Sequence, residues 1–163
     1  DWSSDVCSSD LTVRGTSGMS RRDARAAALR ILYSVDVGGG AANEVIAAYF
    51  AEHAPEATPA DREFAGSIVY GTLQAVPALD ERIAAHSRHW RLERLAIIDR
   101  LLLRMAIWEL RQAETPAAVI IDEAVELART YSTEASASFV NGVLDAVRKD
   151  LEGPGPKAQG PGE

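Results

Sequence analysis

Residues Leu92–Gln112 read LERLAIIDRLLLRMAIWELRQ, and this stretch decides the fold. Its apolar side chains recur at three- and four-residue steps and fill most of a helical surface, leaving a narrow polar stripe through Arg100, Arg104 and Arg111. A helix that is apolar on most sides belongs in the middle of a bundle. The stretch has no Gly or Pro, and its charges argue against a membrane span of about 20 apolar residues. We therefore predict an all-α protein with Leu92–Gln112 as its central helix.

Composition limits the classes of protein to which this chain can belong. With 163 residues, 47% of them hydrophobic, it can bury the core of one domain. The formal net charge of −7 argues against a surface that is basic throughout, so a nucleic-acid role needs a local basic patch or a partner. The single cysteine, Cys7, cannot form an intrachain disulfide, and the first 19 residues lack a secretory pattern. We therefore expect a cytoplasmic protein.

The two ends differ in composition from the middle of the chain. Residues 1–19 are rich in Ser and Asp without a sustained period, and we expect them to be a non-native or disordered leader, with Met19 as the true start. Residues 20–151 are predicted to form one all-helical domain. Residues 152–163, rich in Gly and Pro, are predicted to form a flexible tail.

Start and stop signals divide the predicted domain into about seven helices. Ser20 and Asp23 form a capping-box pattern at the start of the first helix. Gly lowers helix propensity by about 1 kcal/mol, so glycines inside predicted helices suggest close approach of another helix; these are Gly66, Gly71 and Gly142. Besides the central helix, the predicted helices run from Ser20 to before Gly38, over Ala42–His53, from Pro59 to the Pro77 boundary, over Leu79–His86, from Pro116, and through Phe139–Val147.

The first predicted helix carries a cluster of arginines within an acidic protein. Arg21, Arg22 and Arg25 lie near its N-terminus, where positive charge runs against the helix dipole. A purely structural explanation is therefore disfavoured, and the cluster is a candidate contact for phosphates. The alternative is an ordinary solvated face.

The sequence contains no catalytic pattern that outweighs a structural explanation. His53, His86 and His89 lack ligand spacing with Cys or acidic residues, and no Gly-rich loop joins a strand to a helix. The hydroxyl-rich segment 132–138 has no local base and more simply caps the last helix. We therefore expect a protein without catalytic activity, cofactor or metal.

Four segments in this order resemble the NusB family of transcription antitermination factors. They are SRRDARAAALRILYSVD at 20–36, LLLRMAIWEL at 101–110, VIIDEAVELAR at 119–129 and FVNGVLDAV at 139–147. The resemblance implies about seven helices in two packed bundles. It also implies a binding protein that recognises boxA-type RNA of nascent ribosomal transcripts together with the ribosomal protein NusE, as part of an RNA polymerase antitermination complex.

The resemblance also assigns roles to individual residues. It implies RNA contact at Arg21, Arg22 and Arg25 and, near FVNG, at the aromatic residues Tyr131 and Phe139. Core packing is the alternative for Phe139. Partner contact is implied at Tyr33 and Asp99, and a core position is the alternative for Tyr33. Many relatives carry an acidic residue, serine and lysine before FVNG, whereas this chain has Ala135, Ser136 and Ser138, so RNA affinity without the partner is expected to be low.

Two other functions stay open at this point. One is the NusB-like RNA-binding domain of a ribosomal RNA cytosine methyltransferase, which would need a further α/β domain. The other is a self-associating helical module, such as a homodimer, without an RNA role.

Overall fold

A computed structural model of the protein describes residues 18–87 and 90–153. Within these ranges the chain is all-helical, without strands, which confirms the predicted fold class. No helix there is long and apolar enough to cross a bilayer. Most of the predicted leader (1–17) and of the predicted tail (154–163) lies outside the described residues. The described residues form the α-helices α1 (Arg21–Gly38), α2 (Ala42–His53), α3 (Pro59–Gln74), α4 (Val76–His86), α5 (Ile97–Gln112), α6 (Ala117–Tyr131) and α7 (Glu134–Glu152), with a 3-10 helix at Leu92–Arg94.

The chain divides into two compact units between Tyr70 and Gly71, inside α3. In the first unit α1 packs on α2. The largest fully buried side chains of this unit come from all three of its helices, and α1 supplies three of the five. They are Leu29, Ile31, Leu32, Phe50 and Ile68.

The start of α1 follows the sequence signal. Ser20 has extended backbone, and its Oγ accepts a hydrogen bond from the Asp23 N–H at 3.0 Å. This bond satisfies one of the N–H groups that the first turn of a helix leaves without a partner. The helix continues through Gly38, one residue beyond the predicted end, and Gly39 ends it with a φ of 76°. The cap predicted at Ser20 is therefore confirmed.

A capping box at the start of α3 also holds the segment that enters α1. Asp61 N–H donates to Thr58 Oγ1 at 3.1 Å, and Thr58 N–H donates back to Asp61 Oδ2 at 3.0 Å. The same Oδ2 accepts a third hydrogen bond, from Met19 N–H at 3.0 Å. Desolvation acts to raise the pKa of Asp61, but these hydrogen bonds and the nearby charge of Arg21 outweigh it and hold the pKa below its ordinary value. The Asp61 carboxylate therefore links the segment before α1 to the start of α3 through hydrogen bonds.

In the second unit α5 is the central helix, as its sequence predicts. It packs against α4, α6 and α7, and α6 packs against α7. An arginine of the polar stripe on α5 forms an ion pair with α4. Arg104 Nε and Nη2 donate to the two carboxylate oxygens of Asp80 at 2.7 and 2.9 Å. Such a two-point contact fixes the orientation of both side chains. The apolar side chains that α5 buries are Leu101, Leu102, Leu103, Met105, Ala106, Ile107 and Leu110.

The central helix starts later than its sequence pattern predicts. The predicted start was Leu92, but α5 begins at Ile97, and Leu95 and Ala96 have extended backbone with ψ of 147° and 143°. Leu95 is only 8% exposed in this conformation. The spacing of Leu95 therefore reflects a side chain buried from extended backbone, and not a helix that begins at Leu92.

Two further boundaries differ from prediction. Pro77 lies in the first turn of α4, where a proline is tolerated because the first N–H groups of a helix have no intrahelical partner. The last helix begins at Glu134, and Thr133 Oγ1 accepts from Ser136 N–H at 2.9 Å as its cap. The hydroxyl-rich segment therefore caps α7, as predicted, and also forms its first turn.

The three helical glycines have different environments. A Cβ on Gly71 would collide with the indole of Trp108 on α5, so the predicted close approach of another helix is confirmed there. At Gly66 and Gly142 a Cβ would meet nothing within 4 Å, and the same prediction is wrong. Gly142 lies on the exposed face of α7.

We expect Gly71→Ala to destabilise the protein and Gly142→Ala not to. The first forces the Trp108 ring to move and should destabilise the protein by about 1–3 kcal/mol. The second relieves a propensity cost in open space and should be neutral or stabilising by up to about 1 kcal/mol. Urea unfolding followed by far-UV circular dichroism measures both. Equal stability of the two variants would contradict the contact at Gly71.

We expect Asp61 to contribute stability that acid removes. Its pKa in the folded protein lies below its ordinary value near 3.8, so its contribution is complete above that value and is lost as the pH falls through the folded pKa. The melting temperature of Asp61→Asn should therefore fall less than that of the parent between about pH 6 and about pH 3. Identical pH dependence of the two proteins would contradict this assignment.

Candidate RNA and partner surfaces

The arginine cluster (Arg21, Arg22 and Arg25) occupies the first two turns of α1, in the first unit. Arg21 and Arg22 are exposed, whereas Arg25 is only 5% exposed. The structure therefore presents two of the three predicted RNA-binding arginines to solvent. Arg25 offers little surface to a phosphate in this conformation.

The ring of Phe64 on α3 lies against this cluster. Arg21 Cζ is 3.9 Å from the ring centroid, and Arg25 Cζ is 5.2 Å from it. Both distances lie within the range in which a cation is attracted to the face of an aromatic ring. Phe64 itself is half-buried. The two guanidinium groups, one helical turn apart, therefore share one aromatic contact.

Tyr33 lies further along α1 and is 40% exposed. Val37, one turn later, is 57% exposed. Tyr33 is thus not a core residue, which was the alternative explanation of its position. Its ring is accessible to a partner.

Asp99, the other predicted partner contact, lies in the second unit at the first turn of α5. It is 7% exposed, and its Oδ2 accepts a hydrogen bond from Ser136 Oγ of α7 at 2.8 Å. Its Oδ1 is buried and has no hydrogen-bond partner among the described residues. A carboxylate is favoured at this end of a helix by the dipole. Asp99 therefore joins the starts of α5 and α7 and keeps one acceptor atom unused.

Ser136 lies at the centre of a small hydrogen-bond network of hydroxyl groups. Its Oγ accepts from Ser132 Oγ at 2.9 Å and from Thr133 Oγ1 at 3.1 Å, and it donates to Asp99. These bonds fix the turn between α6 and α7. The turn that precedes FVNG is thereby held by hydroxyl groups.

A cleft of about 300 Å³ opens beside Asp99. Phe139, which is half-buried, lines this cleft and also a neighbouring one of about 260 Å³. Trp90, 54% exposed, lines both clefts as well. Two aromatic side chains and a buried carboxylate thus meet at one surface depression. The first cleft is lined by Trp90, Arg94, Leu95, Ala96, Asp99, Ala135, Ser136 and Phe139.

Tyr131, the last residue of α6, is 39% exposed and is not among the residues that line either cleft. The structure thus brings Asp99 and Phe139 to one cleft and leaves Tyr131 apart from them. Ala135 and Ser138, which depart from the family pattern, are both exposed and line the first and second cleft respectively.

Sequence reasoning missed three residues of these surfaces. They are Phe64, Trp90 and Asp61. Asp61 could have been found, because Thr58 and Asp61 have the spacing of a capping box. No local signal pairs Phe64 with an arginine on another helix.

The described part of the chain, 18–87 and 90–153, brings no three His, Cys, Asp or Glu side chains together in a way that could hold a metal ion. His86 Nε2 is 2.5 Å from Asp150 Oδ2, so this histidine has a structural partner. His89 lies outside the described residues.

The sequence is similar to known proteins over nearly the whole helical region. Residues 22–149 match the model of the NusB family. The transcription antitermination protein NusB of Solibacter usitatus is 44% identical over 135 residues, which cover 83% of this chain and 92% of that protein. The protein of the same name from Sorangium cellulosum is 45% identical over 136 residues, covering 81% and 94% respectively.

Solved structures are similar to the fold as well. The structure of T. maritima NusB has a TM-score of 0.74 and 30% sequence identity, over 82% of this chain and 93% of that one. A structure of the antitermination factors NusB and NusE in complex with dsRNA matches with a TM-score of 0.73 and 27% identity, over 80% of this chain and 96% of the matched chain. With the family model spanning residues 22–149 and relatives 44% and 45% identical over more than 80% of its length, the chain belongs to the NusB family.

Proposed function

We propose that this protein is a transcription antitermination factor that binds boxA-type RNA of nascent ribosomal transcripts together with NusE, within the RNA polymerase antitermination complex. Membership of the NusB family carries the proposal, since relatives matched over 92% and 94% of their own length bear the name of antitermination proteins. The similarity to a NusB structure with NusE and dsRNA supports both the RNA and the protein partner.

The arginine cluster provides the phosphate contacts in this proposal. Arg21 and Arg22 are exposed on the first turn of α1 and carry fixed positive charge. The chain as a whole is acidic, with a net charge of −7, so RNA attraction depends on such a local patch. Arg25, being buried, contributes through its contact with Phe64 and through its charge.

The cleft beside Asp99 provides the base contacts. Unpaired RNA bases are commonly bound by stacking on aromatic side chains and by hydrogen bonds to their edges. Phe139 supplies a half-exposed ring and Trp90 a second one. Tyr131 adds an exposed ring at the end of α6.

Tyr33 and Asp99 are the proposed contacts with NusE. Tyr33 offers an exposed aromatic ring on α1, the residue type that protein interfaces favour. Asp99 is mostly buried, so its contribution is to hold the α5 and α7 starts together through Ser136 and thereby shape the surface that the partner meets.

The proposal includes the absence of catalysis and a cytoplasmic location, because its RNA and ribosomal partners are cytoplasmic. The matched relatives are named as antitermination proteins and not as methyltransferases, so they lend no support to the methyltransferase alternative. The other alternative is a self-associating module without RNA binding. Experiments in solution distinguish it from the proposed function.

Fluorescence anisotropy with a labelled boxA-type RNA tests the function. We expect the full chain to bind this RNA in preference to a scrambled sequence and to bind more tightly when NusE is present. Light scattering on the same samples reports the oligomeric state. If the folded protein shows no sequence preference with or without NusE, the antitermination proposal is wrong, and a dimer in that experiment would favour the self-associating module.

Replacement of both Arg21 and Arg22 by Ala should weaken RNA binding and reduce its dependence on salt. On a single strand, each lost phosphate contact lowers the slope of log affinity against log salt by about 0.7, so the two together should lower it by about 1.4. The measurement is the same titration repeated between about 50 and about 200 mM salt.

The matched control replaces two exposed arginines outside the cluster, Arg30 and Arg111, by Ala. This variant has the same net charge as the first, so the two differ only in where charge is removed. An equal loss of slope in both would mean that the effect is general charge and not the arginine cluster.

A further inference from the structure

We infer that Phe64 is a positioning residue for RNA binding, because its ring holds Arg21 and Arg25 in the arrangement that the RNA phosphates meet. This inference rests on the proposed RNA-binding function and adds to it a residue on a different helix. Phe64 need not touch RNA for this role. It acts through the guanidinium of Arg21, whose Cζ is 3.9 Å from the ring centroid.

Two features of the cluster are electrostatically unfavourable. Arg21 and Arg25 are four residues apart on α1, where like charges face each other and repel. Both also lie at the helix end where the dipole is positive. The face of an aromatic ring carries negative potential, so Phe64 offsets part of both effects. The contact therefore lowers the cost of placing two arginines side by side at this end of a helix.

A second link fixes the ring relative to the arginines. Asp61, one turn before Phe64 on α3, accepts the Met19 N–H at 3.0 Å. Met19 precedes Arg21 by two residues. The start of α1 is thus tied to the start of α3 at its backbone by Asp61 and at its side chains by Phe64. These two contacts therefore restrict the position of the Arg21 side chain.

Positioning matters because an arginine side chain has many rotamers. Binding normally has to restrict them, and a side chain that is already held loses less freedom when it meets a ligand. A guanidinium has five N–H donors, more than one ring contact can occupy, so donors remain available to phosphate oxygens. Arg21 remains exposed while it contacts Phe64, as this role requires.

The test compares Phe64→Leu with Phe64→Tyr in the RNA titration of the full chain with NusE. Leu keeps an apolar side chain but removes the ring face, and Tyr keeps it. We expect Leu to weaken binding by about two- to fivefold, the range for a cation–ring contact near the surface, and Tyr to bind like the parent. The salt slope should stay unchanged in both, because no charge is lost. A substitution that removed a phosphate contact would lower the slope instead.

Tyr49→Leu is the matched control. Tyr49 on α2 has Arg30 above its ring, with Cζ 5.6 Å from the centroid, so it presents the same kind of pair outside the arginine cluster. We expect no change in RNA affinity. In the background of Arg21→Ala, most of the effect of Phe64→Leu should disappear, because the residue through which the ring acts is gone.

Three outcomes would overturn the inference: a folded Phe64→Leu protein that binds as tightly as the parent, failure of Phe64→Tyr to restore binding, or an undiminished effect in the Arg21→Ala background. If Phe64→Leu does not fold, Phe64→Met, which is also apolar and without a ring, is judged by the same criteria. A parent protein that does not bind the RNA would instead overturn the proposed function itself. The two failures are therefore distinguishable.

Discussion

The second unit depends on burying a helix that is apolar on almost every side. No single neighbour can cover α5, so α4, α6 and α7 all pack against it. Apolar area removed from water stabilises this arrangement by about 25 cal/mol per Å², and the full gain is reached only when all three neighbours are in place. The charged residues of α5 have to fit within the same constraint. Arg104 does so by binding Asp80 through two hydrogen bonds, and Asp99 does so by accepting one from Ser136.

Much of the fold follows from local signals. Ser20 caps α1, the bounds of α2 agree with the apolar spacing and the proline that follows, and Thr58 with Pro59 marks the start of α3. The start of α5 could not be predicted in the same way. Leu95 has the right spacing for a helix, but it is buried from an extended backbone, and spacing does not distinguish these two ways of burying a side chain. The glycines make the same point, since Gly71 and Gly142 look alike in sequence and only Gly71 lies against Trp108.

The candidate surfaces were predictable where charge or an aromatic residue is unusual for its place. The arginines at the start of α1 stand out because they oppose the helix dipole, and Tyr33 and Phe139 were identified by family resemblance. Their partners were not predictable. Met19 and Asp61 are 42 residues apart, and Asp99 and Ser136 are 37 apart, so these contacts exist only after the chain has folded. Sequence patterns name the groups that could act, while the fold decides which of them are exposed, as it does by burying Arg25 and leaving Arg21 at the surface.

One oxygen atom of Asp61 accepts hydrogen bonds from both Thr58 and Met19. Fraying of either helix start removes one of the donors that keep this carboxylate in place, and it thereby weakens the bond to the other. The beginnings of α1 and α3 should consequently open and close together, as one local unfolding unit. The arginine cluster begins in the first turn of α1. The order of this cluster therefore depends partly on α3, a helix that contributes no arginine to it.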